Sequence, residues 1–327
     1  MRRLLLTAAV TAAAALTMTA CGTTEPAADD AAKKKSGERI TLTDANGAKV
    51  ELDGPAEKVV GTEWNVVENL ISLGVDPVGV ADVKGYKTWD TAVALKNEPK
   101  DIGTRGEPSM DTIASLSPDL IVATTDLPPA AVKQLREVAP VLEVRSADAS
   151  DPIGRMTENL DLIAQATGTT EKADELKEQF EAKLAEGRKA LADAGLAGAG
   201  YAFADGYVVS NQVSIRPYTS GSLIGAVNEK IGLKNAWKIE GDKDYGLAST
   251  DVEGLTELGD VQFAYIGSEG DKNSTPFAGA LAKDKVWTSL PFVKKGDVHR
   301  LPDGIWMFGG PESMGQYVDA VVEALAK

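Results

Sequence analysis

From residue 40 onward the chain alternates short apolar runs with stretches whose apolar residues recur every three or four positions. Residues 40–52 alternate polar and apolar around Asn46-Gly47, which predicts a small opening hairpin. Residues 59–61 read as a short buried strand. In residues 65–73, Val66, Val67, Leu70 and Ile71 fall on one helical face and Gly74 stops the run. Residues 77–80 are a second strand. Ser109 is placed to cap a helix that runs to Leu116, and Ser117-Pro118 ends it before a strand over 120–123. A helix over 129–139 and a strand over 141–144 follow. Short apolar strands alternating with helices predict a mainly parallel sheet covered on both faces.

The middle of the chain changes character. Residues 153–167 read as one helix closed by Gly168. Residues 171–194 read as a longer one with Ala173, Leu176, Phe180, Leu184 and Leu191 in a narrow stripe. At 1.5 Å per residue such a helix spans roughly 36 Å. A second alternation then begins: a strand over 207–210, a helix over 222–231, a strand over 261–266 and a final helix from Glu312. The expected fold is α/β, two lobes with central sheets joined by a single long helix, with a ligand cleft between them. The boundaries are 39–169 for the first lobe, 170–194 for the connecting helix and 195–327 for the second lobe. One long connector resists wide hinge opening, because bending it breaks backbone hydrogen bonds.

The N-terminus does not fit this pattern. Arg2 and Arg3 precede an apolar run from Leu4 to Leu16 that is too short to span a membrane. Small residues then lead to the single cysteine, Cys21. Residues 1–20 therefore read as an export signal, and the small residues before Cys21 resemble the bacterial lipobox, which implies that Cys21 is lipidated; the other reading is an ordinary signal peptide with an incidental cysteine. Residues 21–38, small and polar, read as a flexible tether to the outer face of the cell membrane. Met18 stands where such lipoprotein signals prefer Leu.

Charge and rare residues narrow the chemistry. The 327 residues carry 34 Lys and Arg against 49 Asp and Glu, a formal charge of −15. That surface repels phosphate backbones, so no nucleic-acid partner is expected. One Cys and one His exclude a disulfide framework, a thiolate zinc site and a histidine-cluster metal site. A hydrolase would have to use His299, which sits in an expected strand, and no Gly-x-Ser-x-Gly elbow or phosphate loop is present.

Of five tryptophans, Trp64, Trp89, Trp237 and Trp306 fall in expected connections, Trp89 beside Tyr86 in a loop with Gly85 and Trp306 beside Phe308. Each could plug the core from its rim; together they also fit two aromatic walls across a cleft. Trp287 reads as core packing. Arg105 is the only cation of the loop Gly103-Thr104-Arg105-Gly106-Glu107-Pro108. It can pair with Glu107 or another acid, or offer its planar fork of donors to clustered ligand oxygens.

Several motifs in order carry a resemblance. They are Leu73-Gly74-Val75-Asp76-Pro77-Val78-Gly79-Val80, the Arg105 loop continued by Ser109-Met110-Asp111, and Ser117-Pro118-Asp119-Leu120-Ile121. In the second lobe they are Gly232-Leu233-Lys234-Asn235-Ala236-Trp237, Glu253-Gly254-Leu255-Thr256-Glu257-Leu258 and Trp306-Met307-Phe308-Gly309-Gly310. From about Ile40 the chain resembles the helical-backbone class of ABC-transporter solute-binding proteins, in its iron–siderophore group, and within it the ferric-hydroxamate binders. The resemblance implies a monomeric binding protein, not an enzyme. It would deliver a ferric siderophore to an ABC permease dimer with its ATPase, and it would have no cofactor and no metal ligands of its own.

By position, Arg105 would hold the iron-bound hydroxamate oxygens and Trp237 would form the opposite wall. Trp64, Tyr86, Trp89, Tyr207, Arg216, Tyr218, Tyr245, Trp306 and Phe308 complete the candidate lining. Phe308 stands where a hydroxamate binder has tyrosine, and Tyr245 where it has tryptophan. Asp111 and Glu253 occupy the places of the two acids that pair with permease arginines, although an acid in a first helical turn is also stabilised by the helix dipole. Other cargoes on the same fold, such as another iron chelate, haem, cobalamin or a catecholate, stay open. A single loop arginine suits a less anionic ligand better than a catecholate.

Overall fold

The structure, a computed structural model, describes residues 38–210 and 212–326. The signal segment, Cys21 and all but the last residue of the tether lie outside the described residues. The opening hairpin forms as expected: β1 (Ile40–Thr43) pairs antiparallel with β2 (Lys49–Leu52). Asp44 Oδ1 accepts from the Asn46 and Ala48 amides, and Gly47 takes the left-handed conformation that closes the turn.

The first lobe is built on a five-stranded parallel sheet in the order β5-β4-β3-β6-β7. Its strands are β3 (Val59–Gly61), β4 (Gly79–Val80), β5 (Lys100–Asp101), β6 (Leu120–Thr124) and β7 (Val141–Val144). Every residue of β3, β6 and β7 is buried, as expected of a parallel sheet covered on both faces. Helices α1 (Trp64–Ser72), α2 (Val83–Trp89), α3 (Met110–Leu116) and α4 (Pro129–Val138) follow successive strands. Ser109 caps α3 by accepting from the Thr112 amide, and Ser117 ends it in a left-handed conformation.

Helix α2 is a departure from the sequence reading, which placed Tyr86 and Trp89 in a loop. Its segment holds a glycine and no apolar stripe, so propensity argues against a helix. Asp82, itself left-handed, accepts from the Gly85 amide and starts the turn.

Helix α5 (Pro152–Thr167) is closed by Gly168, and α6 (Thr170–Asp193) runs 24 residues. The stripe on α6 serves two cores. Ala173 and Leu176 pack into the first lobe with Leu160 and Ile163, whereas Phe180, Leu184 and Leu191 pack into the second with Tyr317 and Val318.

The second lobe's sheet runs β10-β8-β11-β12, with β9 also paired to β8. Its strands are β8 (Gly200–Val209), β9 (Gln212–Pro217), β10 (Lys234–Asn235), β11 (Gln262–Tyr265) and β12 (Val298–Arg300). The near half of β8 pairs parallel with β10 and β11. The far half pairs antiparallel with β9, placing Asp205 opposite Arg216 and Tyr207 opposite Ser214. The sequence pattern shows only the end of β8 and nothing of β9, a short half-exposed strand held by its pairing with β8. Helices α7 (Leu223–Lys230), α8 (Lys285–Ser289), α9 (Pro291–Lys295) and α10 (Pro311–Leu325) surround the sheet. Trp287 is buried among Phe263, Phe277 and Phe292, as its core reading required.

Besides α6, a buried polar contact ties the lobes together. Glu68, fully buried on α1, accepts from the Gly310 amide at 2.9 Å, the Ser313 amide at 2.9 Å and the Ser313 hydroxyl at 2.8 Å. It thereby caps α10, which has no side-chain cap of its own. Asp90, at the end of α2, is buried beside it. Burial pushes Glu68 upward and Asp90 up to about 10; Glu68 raises Asp90 further, whereas the hydrogen bond from Asp90 lowers Glu68. Glu68 receives three donors at a helix N-terminus, so it carries the charge and Asp90 keeps the proton. Thr91 adds two further bonds across the junction, its amide and hydroxyl both donating to the Gly304 carbonyl.

Candidate ligand-binding cleft

Between the lobes lies a cavity of about 550 Å³. It opens past the carboxyl ends of β3, β5 and β6 on one side, and against the β8–β9 hairpin and the 301–310 loop on the other, the usual place for a ligand in an α/β fold. Of the expected site residues, Trp64, Trp89, Arg105, Tyr207, Arg216, Tyr245, Trp306 and Phe308 line it.

An aromatic chain crosses from one lobe to the other. Trp64, set at the start of α1 with its indole N–H donating to the Ala81 carbonyl, meets Trp306 edge-on at 4.8 Å. Trp306 meets Phe308 at 5.1 Å, and Phe308 meets Tyr245 at 5.5 Å, both edge-on. Arg105 lies over the Trp64 ring at 4.0 Å and the Trp306 ring at 5.2 Å. Cation–π contacts on two rings hold a guanidinium in place without consuming its N–H donors.

Each cationic side chain of the cavity has an acid partner. Arg105 Nη1 donates to Glu63 Oε1 at 2.7 Å. The acid is neither Glu107 nor any other residue of the Arg105 loop; it sits at the cap of α1, where the same oxygen accepts from the Trp64 amide. Arg216 is held by Asp205, Nε donating to Oδ1 at 2.9 Å and Nη2 to Oδ2, while the Tyr218 hydroxyl also donates to Oδ2 at 3.2 Å. Burial pushes the Asp205 carboxyl up and Arg216 pulls it back. Three donors converging on its two oxygens are the geometry of the ionised form. Across the mouth, the Tyr245 hydroxyl donates to Asp126, a bond from the second lobe to the first. Burial and that carboxylate hold the Tyr245 hydroxyl above the ordinary phenol range.

Three expected residues are not brought to the cavity wall. Tyr86 is buried under it, and its hydroxyl donates to the Val93 carbonyl at 2.6 Å. Tyr218 lies beneath Arg216 and Phe308 and is likewise buried. Trp237 packs against the second lobe's core with its indole N–H donating to the Phe203 carbonyl at 2.9 Å, so it does not form the opposite wall. Conversely, sequence reasoning missed Glu63, Asn65, Thr124, Asp126 and Ser146. Thr124 is the last residue of β6, and Glu63 and Asp126 stand just past the ends of β3 and β6; that position alone was a usable signal. Asn65 Oδ1 and Trp306 Nε1 are both buried without a hydrogen-bond partner.

Away from the cavity, Asp111 is exposed in the first turn of α3, and Glu253 is exposed at the start of a short 3-10 turn in the other lobe. His299 sits on β12 beside Gln262, 2.7 Å from its amide oxygen, outside the cavity lining. Among the described residues, no group of three or more His, Cys, Asp or Glu could hold a metal ion.

Two α/β lobes on one long helix around an aromatic cleft define a ligand-binding rather than a catalytic architecture. Residues 59–304 match the Periplasmic binding protein family, and the chain belongs to it. It is 23% identical over 271 residues to the iron(3+)-hydroxamate-binding protein FhuD of Escherichia coli, covering 82% of this chain and 86% of that one. To the Fe(3+)-citrate-binding protein YfmC of Bacillus subtilis it is 28% identical over 283 residues, covering 84% and 82%. Among solved structures, the Fe3+-Desferal-bound siderophore-binding protein FhuD from Vibrio cholerae superposes with a TM-score of 0.73. That match has 24% identity and covers 83% of this chain and 98% of the other, a likeness of fold. The family is one of binding proteins, and the protein is not an enzyme.

Proposed function

We propose that this protein captures a ferric siderophore of the hydroxamate type on the outer face of the cell membrane and delivers it to an ABC importer. The observation that carries the reading is Arg105. Its guanidinium lies over Trp64 and near Trp306 at the cavity, and one N–H is engaged by Glu63. A guanidinium has five N–H donors, and this one lines a cavity sized for a small chelate. A hydroxamate siderophore fills the coordination sphere of iron with its own oxygens, so the protein needs only donors for those oxygens and apolar walls for the organic shell. Iron is cargo and no resident cofactor is required. Cys21 would carry the lipid anchor. Asp111 and Glu253, one exposed acid on each lobe, would meet arginines of the permease dimer, the protein acting as a monomer.

A second reading is a ferric citrate cargo, favoured by the likeness to the Bacillus citrate-binding protein. Titration of tryptophan fluorescence separates the two. Saturable quenching by a ferric trihydroxamate is expected, weakened at least roughly tenfold in Arg105→Ala, the loss of about one charge-assisted hydrogen bond. A response to ferric citrate with none to any hydroxamate would transfer the cargo to the second reading. Silence with every iron chelate would end both.

A further inference from the structure

The cavity offers hydrogen-bond donors without offering net positive charge, and that balance has a consequence for what it admits. Arg105 is neutralised by Glu63 at 2.7 Å and Arg216 by the buried Asp205. Neither lining arginine is therefore free to offset an anionic ligand. Asp126 then adds a negative charge at the mouth, engaged by the uncharged Tyr245 hydroxyl, and among the described residues no lysine lines the cavity. The walls are aromatic and Glu63 is only one-fifth exposed, so these charges act through a medium that screens less than water.

We infer that the site selects ferric chelates of zero or positive overall charge, with Glu63 and Asp126 as the residues that reject anionic ones. The inference rests on the ferric-chelate reading above and specifies it. Ferric iron bound by three hydroxamates is electrically neutral, whereas three catecholates or bound citrate leave an anionic complex. An Arg105 already paired with Glu63 still donates to the oxygens of a neutral iron centre. To serve an anionic centre it would have to release Glu63 into the same cavity as a second like charge. Glu63 is held where it is by the cap of α1, because the oxygen facing Arg105 also accepts from the Trp64 amide.

The test keeps the iron centre constant and varies only the charge beside it. Ferrioxamine B, with its pendant ammonium, is titrated against the purified protein next to its uncharged N-acetyl and anionic N-succinyl derivatives. The anionic member is expected to bind roughly tenfold or more weakly than the uncharged one, and the cationic member at least as tightly. In the Glu63→Gln/Asp126→Asn double variant, in which each amide keeps an oxygen acceptor, the anionic-to-neutral ratio should collapse toward one. Raising salt from about 10 mM to 0.5 M should shrink the same ratio in the unaltered protein, a check that needs no variant. Equal affinities across the series, or a ratio indifferent to both the substitutions and salt, would overturn charge selection while leaving the hydroxamate reading intact. Binding of none of the three, with binding of a ferric tricatecholate, would overturn both.

Discussion

Replacing Glu68 by glutamine tests whether the lobe junction is built as its hydrogen bonds indicate. Glu68 Oε2 accepts from the Gly310 amide and the Ser313 hydroxyl, and Oε1 from the Ser313 amide. The amide keeps one oxygen and turns an NH2 toward a donor, so one or two of these bonds are lost in a site closed to water. Bonds to a charged acceptor are worth about 1.5–3 kcal/mol each, and the charge at the N-terminus of α10 adds up to about 2. A loss of about 3–5 kcal/mol follows, which in a chain of this size lowers Tm by roughly 5–8 °C.

Asp90→Asn should act in the opposite sense, because it removes an ionisable group that the fold must keep protonated. The folded pKa of Asp90 is raised to about 10, so the unfolded chain releases this proton from about pH 4 upward while the folded chain holds it. Its contribution is full in acid and is lost as pH rises through that window, at most about 1.4 kcal/mol per pH unit. Thermal melts by circular dichroism from pH 5 to 9 should show the unaltered protein losing stability relative to Asp90→Asn as pH rises. Parallel pH profiles, or a Glu68→Gln melt within about 2 °C of the parent, would refute the assignment of a protonated Asp90 and a charged cap.

Further outcomes follow from the cleft. Trp89→Ala should weaken binding of a ferric trihydroxamate about fivefold or more, whereas Trp237→Phe, off the cavity wall, should leave Kd within about twofold; the reverse pattern would reassign the walls. Asp111→Ala/Glu253→Ala should bind ligand normally yet abolish iron uptake by whole cells, and intact uptake would retire both residues as docking points. Scattering should find the radius of gyration unchanged on ligand binding, since the apolar stripe of α6 packs into both cores and Glu68 and Thr91 bridge the lobes. A large contraction would contradict that.

Periodicity along the chain determined most of the scaffold. The alternation of strand and helix, the cap at Ser109, the stops at Gly74 and Gly168 and the length of α6 are all local, because each depends on side chains within a turn or two. Motif order fixed the family for the same reason, and Arg105 stood out as the one cation of its loop. Helix α2 and strand β9 escaped because neighbours rather than propensity hold them. One is started by a left-handed Asp82, and the other is fixed by pairing with β8. The site itself was settled only by tertiary contact. Trp237 and Trp89 look alike in sequence, yet one turns into the second core and the other into the cavity. The charge partners lie far apart in the chain: Glu63 with Arg105, Asp126 with Tyr245, Glu68 with Ser313. Local pattern cannot encode which donor meets which carboxylate. That depends on where two sheets bring their strand ends, and only the assembled lobes decide it.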